Sequence, residues 1–543
     1  MSAPTSSLLQ VRLPLLLALT LAIGMFIGQK LPHSDHPISY VPSGRGGAAS
    51  GALDEVLRYI DALYVDSVDI NRIKAGAIEH LLGGLDPHSV YISPDELKAV
   101  EDDMSGGFEG IGIEFLMVDD TMQVVAPLSG GPSEAAGILP GDKIVMINDT
   151  VIAGVKMDNG NIFRRLRGEK GSIVKVGILR GRESALRQFQ ITRDVIPVKS
   201  VETAYMIDER TGYIKINRFS ARTYQEFMES VRPMAEEQGM QHLILDLRGN
   251  PGGYLSEATS LLSQFFGEGK LLVYTEGRKD ARRDYKSTGR ARFNIQQMAV
   301  LIDEGSASAS EIVAGAIQDH DRGWVIGRRS FGKGLVQEQY PLQDGGALRL
   351  TISRYYTPSG RSIQRKYGNG VEYDHEGDRR LQNGELTDGT KMKQNDSTQY
   401  YTGQGRIVYA GGGITPDVFI PIDTSYVTNY YQNIRTYIPQ FLARWMESHD
   451  KSLYPNNIST FIQDYQPDEA ILEALVSFGQ KEGVPRNDNE IKRSKEEIKF
   501  QIKVRLAKLL FQETGMYKVL NSDDPAIEKA KQLVKSGEPV AKK

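Results

Sequence analysis

The sequence predicts an α/β protein with a separate β-rich module and helical flanks. Three observations carry this. From about Ser200 to Pro421, short apolar runs alternate with amphipathic stretches, the order that builds a sheet with helices packed on it. From about Gly106 to Asp194 the runs are short and β-rich, with Gly, Pro and Asp turns between them, which suits a small partly open β-barrel. Outside these regions apolar residues recur at helical spacing. At 543 residues the chain is also too long for one core, so several domains are expected.

Residues 1–30 hold Arg12, an uncharged apolar run from Leu13 to Gly28, and Lys30. This reads as a signal-anchor or a signal peptide. No small-x-small cleavage site follows, which favours an uncleaved inner-membrane anchor. Either way the rest of the chain is expected to be exported, to the cell envelope or periplasm. Residues 31–50, rich in Pro, Gly and Ser, read as a linker. Residues 51–104 read as helical. ALDEVLRYIDALYV puts Leu53, Val56, Leu57, Ile60 and Leu63 on one stripe, and NRIKAGAIEHLLGGL stops at a double glycine. LDPHSVYISPDEL is a turn followed by a helix start, with Ser93 capping and Pro94 at the first position.

Residues 105–195 form the β-rich module, with strands in TMQVVAPL, KIVMIND and SIVKVGILR and short helices at SEAAG and GNIFRRLRG. Residues 196–425 form the α/β part. Its expected strands are GYIKINRF, HLILDLRGN, LLVYTE, MAVLIDEG and GWVIG. Its helices are ARTYQEFMESVRPMAEEQG, SEATSLLSQFF and the segment from Ser308 to about Asp319. The polar stretch at about 366–406 is expected to be an inserted loop. Residues 426–543 are again helix-rich.

Composition removes several functions. The absence of cysteine excludes disulfides, thiol catalysis and Cys-ligated zinc. A net charge of −4 argues against a nucleic-acid partner.

The segment GSASASEIVAGAIQDH, Gly305 to His320, is where chemistry is best sought. Ser308 and Glu311 have the spacing of a capping box, which needs no catalysis. Yet a serine after a buried strand and at a helix start is also well placed as a nucleophile. The helix N-terminus favours negative charge and the Ala309 amide can point at an oxyanion. Local sequence does not separate the two readings. His320 is no base for Ser308, since it lies roughly 18 Å along the same helix; a distant histidine such as His242 stays open. The other candidate base is Lys333 in RRSFGKGLVQEQ, where Phe331, Leu335 and Val336 would desolvate the amine and lower its pKa. The alternative is an exposed turn lysine. Gln337 would share a strand face with Lys333, at about 13 Å if fully extended. DLRGNPGGYL, Asp246 to Leu255, is a strand entering a Gly-rich turn and can supply a second oxyanion amide. It can equally be an ordinary strand-to-helix connection.

Taken in order, GGLDPHSVYISP, LILDLRGNPGG, IDEGSASASEIVAGAIQD, RSFGKGLVQ, and YYTPSGRSIQ with GGGITPDV resemble the carboxyl-terminal processing (tail-specific) serine peptidases. The resemblance covers roughly residues 50 to 420. It implies a crotonase-like protease core with an inserted PDZ-like domain and helical N- and C-terminal flanks. It implies Ser308 as nucleophile, Lys333 as base and Gln337 as the lysine's partner. Ala309 and Gly252, preferred to Gly253, would form the oxyanion hole; Ser306 and Ser310 remain alternatives for the nucleophile. In EGIGIEF the amides of Ile111, Gly112 and Ile113 would bind a peptide carboxylate while the tail adds as a strand. The implied partner is a protein or peptide with a free C-terminus, and no metal or organic cofactor is needed. The helical ends are surfaces on which a homodimer could form. The insertion and the long helical tail depart from the family pattern, and neither is expected to touch the dyad. The rival readings are a PDZ-based binding scaffold with an inactive core and a crotonase-like acyl-CoA enzyme.

Overall fold

The computed structural model describes residues 51–540, apart from 129, 182, 184, 369–372, 374, 393–397 and 450. The expected membrane segment and linker, 1–30 and 31–50, lie outside the described residues. Among the described residues no helix is long and apolar enough to cross a membrane. The chain divides into two units, Met1–Lys74 and Ala75–Lys543. In the first, the helix Ala52–Leu63 leaves Leu53, Val56 and Leu63 of its apolar stripe exposed.

In the second unit, a ribbon of Gly107–Gly110 paired with Asp194–Pro197 carries the chain into and out of the β-rich module. The module's main sheet runs Ile113–Val118, Thr121–Pro127, Lys143–Ile147, Ile173–Leu179, Arg187–Thr192, with neighbours antiparallel and Thr150–Val151 paired to the third strand. Met122, Val124, Ile144, Val174, Val176 and Ile178 make its core. The helix Asn159–Leu166 adds Ile162 and Leu166, four residues apart on one face. Ile113–Val118 pairs on one side only, so it is an edge strand.

The α/β part is built on six strands in the order Val201–Met206, Thr211–Ile216, His242–Asp246, Gln297–Ile302, Trp324–Gly327, Val418–Phe419. The first pair is antiparallel and the rest are parallel. Helices Thr223–Glu236, Leu255–Leu262 and Ala309–Asp319 cover one face, over Leu243, Leu245, Met298 and Val300. The other face, with Tyr213, Ile244, Ala299, Leu301 and Ile326, is covered by the last helix, Pro525–Ser536. Burial on both faces explains why HLIL and MAVLI are continuous apolar runs. A second sheet centres on Ala347–Tyr356, which pairs with Val90–Ile92, Leu271–Glu276 and Leu335–Pro341.

The helices from Asn429–Ile434 through Asp488–Leu520 have a core of their own, with Ile434, Leu442, Phe461, Leu475, Ile498 and Ile502. The long helical segment Asp488–Leu520 is kinked at Gln512, where φ is 60°, and it reaches two neighbours. Lys508 Nζ pairs with Glu114 Oε1 of the β-rich module at 2.8 Å, and Thr514 meets Thr203 of the α/β sheet at 3.0 Å.

The insertion is more than a surface loop. It contains the helix Glu376–Gln382, whose Arg380 is buried and donates to the carbonyls of Ser330 at 2.8 Å, Arg329 at 3.2 Å and Gly412 at 3.2 Å. Glu385 takes a two-bond grip on Arg329, both at 2.7 Å. The insertion thus reaches the Arg329–Phe331 stretch that leads to Lys333, while among the described residues it makes no hydrogen bond to Ser308 or Lys333 themselves. A low-hydropathy sequence gave no sign that one arginine would satisfy backbone carbonyls beneath it.

Candidate active site

The parallel strands end together, and their C-terminal turns meet. After Gln297–Ile302 the chain turns through Gly305–Ala307 into the helix Ala309–Asp319, with Ser308 at the N-cap. Ser308 has φ 52° and ψ −113°, outside the usual left-handed well. Such a backbone costs about 1–3 kcal/mol and persists only where its surroundings hold it.

The Ser308–Glu311 capping box is present, with its two halves unequal: Glu311 Oε2 accepts from the Ser308 amide at 2.8 Å, whereas the Ser308 hydroxyl makes no cap hydrogen bond and the Glu311 amide donates to the Ser308 carbonyl at 2.8 Å. Its neighbours are committed. Ser306 Oγ donates to Leu247 O at 2.8 Å and accepts from Asp303 N at 2.9 Å; Ser310 Oγ donates to Asn250 O at 3.0 Å. Both are fully buried.

Glu311 does more than cap. Its Oε1 accepts from Ser330 Oγ at 2.5 Å and Gly332 N at 2.7 Å, and its Oε2 also accepts from Lys333 N at 2.8 Å. One buried carboxylate thus holds the amides of Ser308 and Lys333 at once. Burial pushes its pKa up to about 7, against the pull of those four donors. Tyr355 makes a second tie, donating its hydroxyl to the Lys333 carbonyl and lying 3.2 Å from that of Ser308. Neither Glu311's bridging role nor Tyr355 was singled out from sequence. The acidic residue three after Ser308 was visible, but only as a cap.

Lys333 lies in the turn before Leu335–Pro341, not in the strand. The shared strand face with Gln337 does not form, because a bulge at Val336/Gln337 also shifts the register. Burial pulls the lysine pKa below its ordinary value and Arg349 adds to this; Glu311 and Asp86 act the other way. The Lys333 ammonium has no hydrogen bond to a described residue. Gln337 Nε2 donates to Thr351 Oγ1 at 3.2 Å. Phe331, next to the turn, and Tyr373 of the insertion both pack on Arg365, each ring centre 3.7 Å from its guanidinium carbon. His242 is at the opposite end of the parallel strands from the serine turn, and His320 Nε2 is bonded to Leu271 O at 2.6 Å.

The Gly-rich turn lies directly against the serine. A Cβ on Gly252 would stand 2.7–2.8 Å from Ala307 O, Ala309 N and Ser308 Cβ, and its φ is +96°. Only glycine allows this approach. However, Gly252 N already donates to Asn250 Oδ1 at 2.8 Å. The choice of Gly252 as an oxyanion donor is corrected on that ground. Gly253 N and Ala309 N have no acceptor among the described residues. Gly253 itself is fixed by its bridge to Phe219. Asn250, which also donates to Ile216 O at 2.9 Å, is a clamp that sequence reasoning missed.

In the β-rich module, the carbonyl of Ile111 accepts from Ser133 N at 3.0 Å and that of Gly112 from Leu128 N at 3.0 Å. No described group accepts from the amides of Ile111 or Gly112. Ile113 begins the free edge strand, and Phe115 of that strand faces Phe163 at 5.3 Å between ring centres.

Residues 210–376 match the model of peptidase family S41, and residues 110–192 match that of the PDZ domain. A carboxy-terminal-processing protease of Bartonella bacilliformis is 37% identical over 57% of this chain and 71% of its own length. The carboxy-terminal processing protease CtpB of Bacillus subtilis is 34% identical over 64% of this chain and 73% of its own. This chain belongs to the carboxy-terminal-processing proteases of family S41. It is a serine peptidase with a PDZ domain that acts at protein C-termini. Residues 430–512, the helical bundle, match a family of unknown function. Among solved structures, the photosystem II D1 C-terminal processing protease is 29% identical over 57% of this chain and 89% of its own, with a TM-score of 0.33.

Proposed function

We propose that this peptidase works through a Ser308–Lys333 dyad. The observation that carries the reading is the Glu311 carboxylate, which pins the amides of both residues; of three neighbouring serines, Ser306 and Ser310 give their hydroxyls to backbone carbonyls and Ser308 does not. The strained Ser308 backbone supports it, since strain of this kind collects at functional sites. Lys333, desolvated and so a competent neutral base, takes the Ser308 proton as Oγ attacks the scissile carbonyl. It then gives the proton to the leaving amine. The oxyanion is held by the amides of Ala309 and Gly253, at a helix N-terminus and a Gly-rich turn. Water deacylates the serine, again with lysine as base. Gln337 orients the lysine.

The substrate's terminal carboxylate docks on the amides of Ile111, Gly112 and Ile113. Its tail pairs with the free edge of Ile113–Val118, and an apolar side chain sits by Phe115 and Phe163. The parallel strands with helices on both faces support a crotonase-like core. The apolar N-terminal segment supports an exported, inner-membrane-anchored protein of the envelope or periplasm. The exposed apolar stripe of Ala52–Leu63 supports a homodimer.

The test is cleavage of one apolar-tailed peptide, with free and amidated C-terminus, by the full-length chain and by Ser308→Ala. Loss of cutting in the variant and preference for the free carboxylate are expected. Equal cutting by both proteins would remove Ser308 from the mechanism; cutting by neither would favour the scaffold.

A further inference from the structure

A second buried carboxylate stands behind the lysine, and the steps above give it no role. Asp86 opens the turn between helix Ile70–Gly83 and strand Val90–Ile92. That strand pairs antiparallel with Ala347–Tyr356, Val90 opposite Arg349, which brings the turn beside Thr351. Asp86 Oδ1 accepts from His88 N at 2.8 Å, Ser89 N at 3.0 Å and Thr351 Oγ1 at 3.0 Å; Oδ2 accepts from Ser89 Oγ at 2.6 Å. Three of these bonds close the local turn. The fourth crosses to another strand and is not needed for it. Thr351 Oγ1 also accepts from Gln337 Nε2, at 3.2 Å.

The direction of this relay follows from the chemistry of its members. An ionised carboxylate only accepts, and the bonds from Ser89, His88 and Thr351 outweigh the effect of burial and keep Asp86 below the ordinary aspartate range. Thr351 has one hydroxyl proton, committed to Asp86. Its oxygen can then only accept from Gln337, so Gln337 must present its NH2 group. Its amide oxygen is left for another donor. Lys333 feels the Asp86 charge, and its ammonium has no acceptor among the described residues.

Building on the dyad reading, we infer that Asp86 and Thr351 are positioning residues. Asp86 directs the Thr351 hydroxyl, Thr351 holds Gln337 by its NH2 group, and the Gln337 oxygen is kept as acceptor for the Lys333 ammonium. That ammonium forms when lysine takes the serine proton. The relay therefore acts on the chemical step rather than on substrate binding.

The test is a double-mutant cycle on the full-length chain, with kcat and KM followed against pH. Thr351→Val should lower kcat about tenfold and leave KM within about twofold. It should also move the rising limb of the pH profile to lower pH, because an ammonium without its acceptor loses its proton more readily. Thr351→Ser should restore both. Combined with Gln337→Ala, Thr351→Val should add less than about twofold, since both cut one relay. A merely structural threonine would change folding without moving the pH limb. Losses that multiply in the double variant, or an unmoved limb, would overturn the inference. If Thr351→Val does not fold by circular dichroism, Asp86→Asn takes its place in the same cycle, with the same two outcomes. Failure of the dyad itself shows separately, as cleavage by Ser308→Ala or Lys333→Ala, and takes this inference with it.

Discussion

Replacing Glu311 by glutamine keeps the shape of the side chain and changes only what it can accept. The carboxylate takes four donors, two on each oxygen. Glutamine offers one acceptor oxygen and one NH2 group, so two donors lose their acceptor whichever way the amide turns. Each orphaned buried donor costs about 1–3 kcal/mol. Removing a buried charge works in the opposite direction. Burial raises the Glu311 pKa to about 7 in the folded protein, above its unfolded value. Such a group stabilises the fold fully at low pH, and that stabilisation is lost as pH rises through the folded value. Between about pH 5.5 and about pH 8.5 the wild type should lose about 2 kcal/mol that the variant does not. Urea unfolding should therefore show Glu311→Gln as the less stable protein at the lower pH, with the gap closing by about 2 kcal/mol at the higher. Peptide cleavage should drop about 100-fold, or about 3 kcal/mol of transition-state stabilisation, because Ser308 and Lys333 lose their common anchor. A stability gap that does not change with pH would refute the buried-charge argument. Unimpaired cleavage would refute the anchoring role.

Other consequences can be checked with single substitutions. Because burial lowers the Lys333 pKa, kcat/KM should rise with pH through a midpoint below that of an exposed lysine, and Lys333→Arg should be inactive at every pH, since guanidinium does not release its proton. Gly252→Ala puts a methyl group 2.7–2.8 Å from three atoms of the serine turn and should abolish cleavage, with a lower Tm. Arg380→Ala removes the donor to the carbonyls of Arg329, Ser330 and Gly412 before Lys333, while Glu376 keeps Arg379 and Glu385 keeps Arg329; calorimetry should show a loss of about 1–3 kcal/mol, and activity should fall with it. Lys508→Ala breaks a half-exposed pair with Glu114 and should cost only about 0.2–1 kcal/mol in denaturant unfolding.

The α/β order was legible because periodicity is local. HLILD, MAVLI and WVIG read as buried strands and are so, and Ser308–Asp319 reads as a helix and is one from Ala309. The long helix Asp488–Leu520 and the last helix Pro525–Ser536 read alike as tail helices. Both reach the sheet, the first through Thr514 and Tyr517 beside Thr203, Tyr205 and Tyr213, the second through Ala526, Ile527, Ala530 and Val534, which meet strand residues some 200 to 300 positions earlier. Val90–Ile92 reads in sequence as part of a turn, since three residues carry no period and the strand exists only by pairing with Ala347–Tyr356.

At the site, sequence alone determined which residue types could do the chemistry. A serine before a helix, a lysine between glycines and a Gly-rich turn follow from local propensity and chemical type. It could not decide between cap and nucleophile, because both need the same spacing. The tertiary structure adds the partners that each group takes. Glu311 is drawn to the amides of Gly332 and Lys333, leaving the Ser308 hydroxyl uncapped, and Asn250 takes the Gly252 amide and leaves that of Gly253. Hydrogen bonds between segments distant in sequence, formed only when the strand ends meet, have no signature in any one of them.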